Sequence, residues 1–193
     1  MKPITRSDLL PVEEYRKVQP QFLKKVVEEK KVRRVRLNEN MSGLFENRLT
    51  VWYQIQEMIR AENITKQEYI DEMLEVYNDL IPSDHELSMT LFIEIPNQEE
   101  LRRFNRTIVG IEKAVVLEFA ENQIVSYEND GDEDGNEGYT QSIHYLKFPF
   151  TAEQMNEFKN CNGEVIIRIN HPNFQSETIL PDELVQTLKK DLG

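Results

Sequence analysis

Hydrophobic and polar residues alternate over residues Leu87–Ile95, with an apolar residue at every second position. This period of two predicts a strand with one buried face. Apolar residues at spacings of three and four predict two helices upstream of this strand. The first should begin near Asn47, and the second should begin at a capping box formed by Thr65 and Glu68.

The N-terminal residues 1–36 form a predicted basic helical segment. Pro11 suits the first turn of a helix, whereas Pro20 should interrupt that helix, because proline lacks a backbone donor and disfavours helix in the preceding residue. At 32–37, arginines alternate with β-branched residues, which predicts a strand after the helical part.

The remaining elements mix strands and helices without regular alternation. Strands are predicted at 41–46, 113–119, 123–127, 139–150 and 164–170. Short helices are predicted to begin at Asn97, at Thr151 and at Pro181. This order predicts the α+β class, with helices packed on a largely antiparallel sheet in a single domain over 1–193.

Charge is distributed unevenly along the chain. Residues 1–36 carry eleven Lys and Arg against five Asp and Glu, a net charge of +6. The whole chain has a net charge of −12, so residues 37–193 carry −18. An acidic body repels phosphate backbones, so nucleic acid is not an expected partner. The basic segment is either a solvated face or a surface for an acidic partner or for self-association.

Other features exclude several classes of protein. No apolar run approaches the length of roughly 18 residues needed to cross a bilayer, and the start lacks a secretory pattern, so we expect a cytoplasmic protein with no membrane partner. The single cysteine, Cys161, excludes an intrachain disulfide and a thiolate zinc cage. The sequence also lacks phosphate-loop and hydrolase-elbow motifs, and no motif in it indicates a particular reaction.

The segment 128–138 is a predicted acidic flexible loop with six acids in eleven residues. Asp130, Asp132 and Asp134 match the alternating carboxylates of a calcium loop, which suggests a weak cation site. However, Gln141 stands where such a loop has its bidentate glutamate. The alternative interpretation is a self-repelling hairpin tip.

Two histidines are candidate metal ligands. His144 shares strand parity with Leu146, and His171 with Ile169, so both side chains should point inward. With Glu94 or Glu118 they would form a two-histidine, one-carboxylate set, which suits iron or zinc. The alternative is two buried histidines that are hydrogen-bonded to the backbone.

The predicted helix that begins at Asn47 is rich in polar groups for a core helix. Arg48, Gln56, Glu57 and Arg60 lie along it at spacings that let charges and amides meet. These residues could line a groove or an interface. They could equally form the salt-bridged outer side of a core helix.

Several blocks spread over nearly the whole chain resemble an uncharacterised bacterial family, the domain of unknown function DUF3501. The blocks are Lys2-Pro3-Ile4-Thr5-Arg6-Ser7-Asp8-Leu9-Leu10, Phe45-Glu46-Asn47-Arg48, Tyr53-Gln54-Ile55-Gln56-Glu57-Met58, Glu86-Leu87-Ser88, Leu91-Phe92-Ile93-Glu94-Ile95-Pro96, His144-Tyr145-Leu146 and His171-Pro172. The resemblance implies a gene beside rubrerythrin and a cysteine-rich iron–sulfur oxidoreductase, and hence a role near peroxide defence or electron transfer. It supplies no catalytic residues.

These observations lead to three functional hypotheses. The first is a non-catalytic accessory or interaction protein of a redox or peroxide-defence system, with no cofactor of its own and a rubrerythrin-like or iron–sulfur partner. The second is a metal-binding protein or metal-dependent enzyme that uses His144, His171 and a glutamate. The third is a small-ligand-binding domain with a pocket between the helix that begins at Asn47 and the sheet.

Overall fold

The computed structural model describes residues 1–129 and 138–192. Within these ranges the chain forms six α-helices and two antiparallel sheets, which confirms the predicted α+β class. The helices are α1 (Val12–Arg33), α2 (Arg48–Glu62), α3 (Gln67–Asn78), α4 (Gln98–Thr107), α5 (Ala152–Asn160) and α6 (Asp182–Asp191).

The first sheet contains five strands in the order β1-β2-β3-β7-β6. They are β1 (Arg34–Arg36), β2 (Met41–Phe45), β3 (Glu86–Ile93), β6 (Tyr127–Glu128) and β7 (Ile143–Pro149). Leu87, Met89 and Leu91 of β3 lie in the core, as the alternation predicted, but Ser88 and Thr90 on the other face are buried as well, so the strand has two buried faces. Ser88, Thr90 and Phe92 lie on the opposite face of this strand, which we call the outer face of the first sheet.

The second sheet has the order β5-β4-β8-β9. Its strands are β4 (Val115–Phe119), β5 (Asn122–Val125), β8 (Val165–His171) and β9 (Phe174–Ile179). The strand β9 was not predicted, because its side chains are at most half-buried and carry little apolar alternation. The predicted strand at 123–127 is divided: its first part belongs to the second sheet and its end to the first.

One hydrophobic core is shared by both sheets and by α5 and α6. Phe119 of β4 packs edge-to-face on Phe158 of α5 with ring centroids 4.9 Å apart, and Phe150 stacks on the same ring of Phe119. The sheets therefore depend on one another for burial of their apolar faces.

The helices α1, α2 and α3 form a second apolar cluster. Its centre is aromatic: Trp52 of α2 lies 4.6 Å from Phe22 and 6.0 Å from Tyr15, both on α1, measured between ring centroids. Thr50 of α2 and Thr90 of β3 bind the same carboxylate, Glu46, so this helical layer is joined to the outer face of the first sheet.

Two local predictions about the helices are wrong. The helix α1 continues through Pro20, because this proline is exposed and Tyr15, Phe22 and Val26 hold the helix on its inner side. The predicted capping box at Thr65 does not form, since α3 begins at Gln67 with Lys66 as an N-cap that makes no side-chain hydrogen bond.

None of the helices in the described ranges is long and apolar enough to span a bilayer.

Candidate functional site

His144 of β7 is buried, with only 4% of its surface exposed, as its parity predicted. Its Nδ1 lies 2.8 Å from Glu128 Oε2, and its Nε2 lies 3.0 Å from Thr140 Oγ1 and 3.1 Å from Gln141 O. The imidazole thereby connects the chain before the acidic segment to the chain after it. Both of its ring nitrogens already have partners.

Glu128, the last residue of β6, binds the main chain of β7 as well as this histidine. Its Oε1 accepts the Tyr145 N–H at 2.7 Å. Burial raises the pKa of the Glu128 carboxyl, but the hydrogen bonds from His144 and from the Tyr145 amide outweigh burial and place the pKa below its usual value.

His171 at the end of β8 is also buried and is held by backbone groups. Its Nδ1 accepts the Asn173 N–H at 3.1 Å, which leaves Nε2 as the donor to Val109 O at 2.9 Å. This network assigns the neutral Nε2–H tautomer. It fixes the loop after α4 to the second sheet.

The two candidate glutamate ligands are bound to arginines. Glu94 pairs with Arg36 at 2.7 Å and with Arg34 at 3.6 Å, while Glu118 receives a two-pronged interaction from Arg168 at 2.9 and 3.0 Å. In the part of the chain that the structure describes, no three His, Cys, Asp or Glu side chains come together as a metal-binding group. The four predicted ligands thus belong to separate networks.

The candidate calcium ligands Asp130, Asp132 and Asp134 lie outside the described residues. The cation site at this loop stays a prediction.

Gln56 of α2, one of the predicted groove residues, is completely buried and binds main chain. Its Oε1 accepts the Leu10 N–H and its Nε2 donates to Leu10 O, both at 2.9 Å. A primary amide matches a peptide group in this way because it offers one acceptor and one donor side by side.

Asn78 of α3 repeats this arrangement at the other end of the same segment. Its Oδ1 accepts the Ile4 N–H at 2.7 Å and its Nδ2 donates to Ile4 O at 2.8 Å. Between the two amides, the Trp52 Nε1–H donates to Asp8 O at 2.8 Å. Residues 2–10 therefore lie in a groove between α2 and α3, which we call the clamp groove.

Charged side chains also bind residues 2–10. Arg48, a predicted groove residue, donates to Lys2 O at 3.1 Å and pairs with the Asp8 carboxylate at 2.9 Å. Asp71 of α3 pairs with Arg6. The pKa of Asp8 falls to about 2, mainly because the Thr5 N–H and hydroxyl donate to its carboxylate and then because of Arg48.

The other two predicted groove residues face α1. Glu57 accepts the phenol proton of Tyr15 at 2.6 Å and binds Arg60 at 2.8 Å. Burial raises the pKa of Tyr15, and the hydrogen bond to Glu57 raises it further. The predicted set is thus divided between the clamp groove and the α1–α2 contact.

Sequence reasoning missed the buried carboxylate of Glu46. Its two oxygens accept the hydroxyls of Thr50 at 2.5 Å and Thr90 at 2.7 Å. The only signal in the sequence is its position one residue after an apolar strand, where the side chain turns to the outer face. Asn78 was missed as well, because its role depends on a segment 74 residues away.

The exposed face of α1 carries unpaired lysines around two exposed apolar residues. Leu23 and Val27 each keep 43% of their surface exposed. Lys17, Lys24 and Lys25 are exposed and form no ion pair with any described residue. We call these five residues the α1 basic face.

A cleft of about 810 Å³ separates α1 from α6 beside this face. It is lined by Lys24 and Lys25 from α1 and by Lys190 from α6. Glu28, Glu29 and Glu183 also line it, so three glutamates accompany the three lysines. Glu28 pairs with Lys31 and Glu29 with Arg33, and the cleft carries charges of both signs beside the α1 basic face.

Comparison with known proteins agrees with this architecture. A family model described as "Protein of unknown function (DUF3501)" matches residues 3–192. The chain belongs to the DUF3501 family. A crystal structure titled as a novel protein of unknown function from Burkholderia pseudomallei is similar at 29% sequence identity and a TM-score of 0.92, with all of both chains covered. No curated protein matches the chain. This DUF3501 protein therefore shares its whole fold with a bacterial protein of unknown function.

Proposed function

We propose that this DUF3501 protein is a non-catalytic accessory protein that binds an acidic partner of a redox or peroxide-defence system. The observation that supports it most directly is the α1 basic face, a positive surface on a chain whose net charge is −12. The redox setting comes from the family resemblance, which implies genes for rubrerythrin and an iron–sulfur oxidoreductase nearby.

The composition of the α1 basic face suits a protein interface. Leu23 and Val27 supply exposed apolar surface, and the lysines of the same helix supply positive charge. Protein interfaces combine both kinds of surface. Lysines without intramolecular partners lose little on meeting an acidic surface, and their field accelerates association with it.

The charge distribution also favours a different protein over a second copy as the partner. A two-fold symmetric dimer would bring the same patch of each copy together. Lys24 and Lys25 would then face the same lysines across the interface, where like charges repel.

The test is binding to purified rubrerythrin and to the purified cysteine-rich iron–sulfur oxidoreductase of the same organism. We expect one of them to bind with a dissociation constant near or below about 10 µM at low salt, weakening as salt is added. The variant Lys24→Glu/Lys25→Glu should weaken this binding by about 10-fold or more, since each lost charge contact costs on the order of 1 kcal/mol.

A matched control reverses two charges on another face. Arg102 and Arg106 of α4 are exposed, so Arg102→Glu/Arg106→Glu changes the net charge by the same amount. We expect this variant to bind nearly as well as the unmodified chain. Failure of both candidate partners to bind at about 50 µM would reject the proposal, and equal weakening by the two variants would reject the role of the α1 basic face.

A further inference from the structure

The segment 2–10 contacts the clamp groove as a peptide ligand contacts its receptor. Its partners Gln56 and Asn78 lie 46 and 74 residues away along the chain. Apart from one short turn at Arg6–Asp8, the segment is not helical. The α2 and α3 side chains therefore supply hydrogen bonds that this stretch does not make within itself.

The two amide clamps recognise main chain and not side chains. Gln56 binds both polar backbone groups of Leu10, and Asn78 binds both of Ile4. Every residue except proline offers this pair of groups, so the clamps would accept other sequences at these two positions. A ligand must therefore present its main-chain groups to the two clamps at positions six residues apart along its own chain.

Side chains add selectivity at three further points. The Ile4 side chain is 2% exposed and belongs to the apolar cluster of α2 and α3, so the groove has an aliphatic anchor position there. Asp71 binds a basic residue two positions later, and Arg48 binds an acidic residue four positions later.

We infer that the clamp groove is a binding site for a short segment of another protein, and that residues 2–10 occupy it as an intramolecular substitute. The ligand class is an irregular segment with an aliphatic residue at the anchor, a basic residue two positions on, an acidic residue four positions on and a residue other than proline six positions on. This site is distinct from the α1 basic face and does not depend on the function proposed above.

The covalent link sets the condition for binding. Residues 2–10 are joined to α1 at Pro11, so the groove meets its own segment at a high effective concentration, on the order of millimolar for a short link. A partner segment must therefore displace this segment, and its binding becomes measurable when the intramolecular segment is weakened.

The experiment uses the full chain with Ile4→Asp, which places a charge at the anchor position and should release the segment. The probe is a fluorescent synthetic peptide of residues 2–10, followed by fluorescence anisotropy. We expect it to bind the Ile4→Asp chain at least about 10-fold more tightly than it binds the unmodified chain, whose groove is occupied. The same peptide with Asp at its anchor should not bind.

Clamp variants then identify the site. Adding Asn78→Ala to the Ile4→Asp chain should weaken peptide binding by about 10-fold or more, because two hydrogen bonds to the peptide are lost. The matched control adds Asn156→Ala, which removes an asparagine of α5 away from the groove, and should leave binding unchanged. If Ile4→Asp does not fold, Ile4→Ala replaces it, since it removes most of the buried anchor side chain without burying a charge.

Three results would overturn the inference. One is no peptide binding up to about 1 mM by a released variant that keeps the native circular dichroism spectrum. Another is binding that Asn78→Ala does not weaken. The third is a dimer of the unmodified chain that Asn78→Ala dissociates, because the segment of a second copy would then be the occupant.

Discussion

Arg33 at the end of α1 binds Asp191 at the end of α6 through two parallel hydrogen bonds. Arg33 Nη1 lies 2.6 Å from Asp191 Oδ2, and Nη2 lies 3.0 Å from Oδ1. Both side chains are nearly inaccessible, and Glu29 binds the same guanidinium at 2.6 Å from Arg33 Nε, so two carboxylates share one cation. This pair spans 158 residues of sequence and fixes the two helices that border the cleft of the α1 basic face.

Replacing Arg33 with lysine should destabilise the protein although the charge is kept. Lysine cannot make the forked contact, so the nearly buried Asp191 carboxylate would be left partly unpaired. We expect Arg33→Lys to lower the free energy of unfolding by about 3 kcal/mol in urea titrations. The control Arg16→Lys alters an exposed pair with Glu13 and should change it by less than about 0.5 kcal/mol. Equal effects of the two variants would contradict a structural role for the buried fork.

His144 should contribute to stability far more than the exposed His85. His144→Ala removes one of the two partners of the half-buried Glu128 carboxylate and the partner of the buried Thr140 hydroxyl, with an expected loss of about 2–4 kcal/mol. His85→Ala should stay within about 0.5 kcal/mol of the unmodified chain. Thermal and urea unfolding of the two variants measure this, and a His144→Ala protein as stable as His85→Ala would refute it.

Glu128 should make the protein more stable at neutral than at acid pH. Its pKa in the folded state lies below the usual 4.5, so its contribution is complete above about pH 4.5 and is lost as the pH falls through the folded pKa. Glu128→Gln should therefore flatten the fall of unfolding free energy between about pH 5 and pH 2. The exposed Glu164→Gln serves as control and should keep the original slope. Identical slopes in Glu128→Gln and the unmodified chain would count against the assignment.

Gly43 of β2 is needed because the chain passes close to Met89. A Cβ atom at Gly43 would lie 2.5 Å from Met89 Sδ, whereas one at Gly163 would meet nothing closer than 3.9 Å. Alanine lowers the conformational entropy of the unfolded chain, which favours folding, but we expect the clash at Gly43 to outweigh this. Gly43→Ala should therefore lower the free energy of unfolding by about 1–3 kcal/mol, whereas Gly163→Ala should leave it nearly unchanged. The cost of Gly43→Ala should shrink in a Met89→Ala background, since the clash is gone. An unchanged cost there would show that the clash is not the cause.

Local chemistry made several elements predictable. Asn97 accepts hydrogen bonds from the Glu99 and Glu100 amides at the start of α4, and Thr151 and Gln154 cap α5 reciprocally, as their spacing indicated. The core-facing apolar positions of β3 and the inward parity of His144 and His171 were confirmed for the same reason, because each depends only on the period of an extended chain.

Predictions that depended on distant packing were less successful. Pro20 was expected to end a helix, but the aromatic contacts of Tyr15 and Phe22 with Trp52 hold α1 together on the opposite side. The polar residues of α2 were predicted to line a groove or to form the salt-bridged outer side of a core helix. The sequence did not indicate that Gln56 and Arg48 bind the chain's own residues 2–10, because helix periodicity carries no information about what lies against a face.

The sequence by itself determined the α+β class, the strand and helix periods, the separation of charge between residues 1–36 and the rest, and the family resemblance. The periods of the strands and helices depend on neighbours within a few residues, and the charge separation depends only on the number of charged residues in each part of the chain. Only the tertiary structure decided that the candidate metal ligands lie in separate networks, that Asn78 and Gln56 clamp one segment, and that Arg33 meets Asp191. Such contacts join residues 46 to 158 positions apart, and only the packing of the two sheets and the helical layer sets which side chains meet.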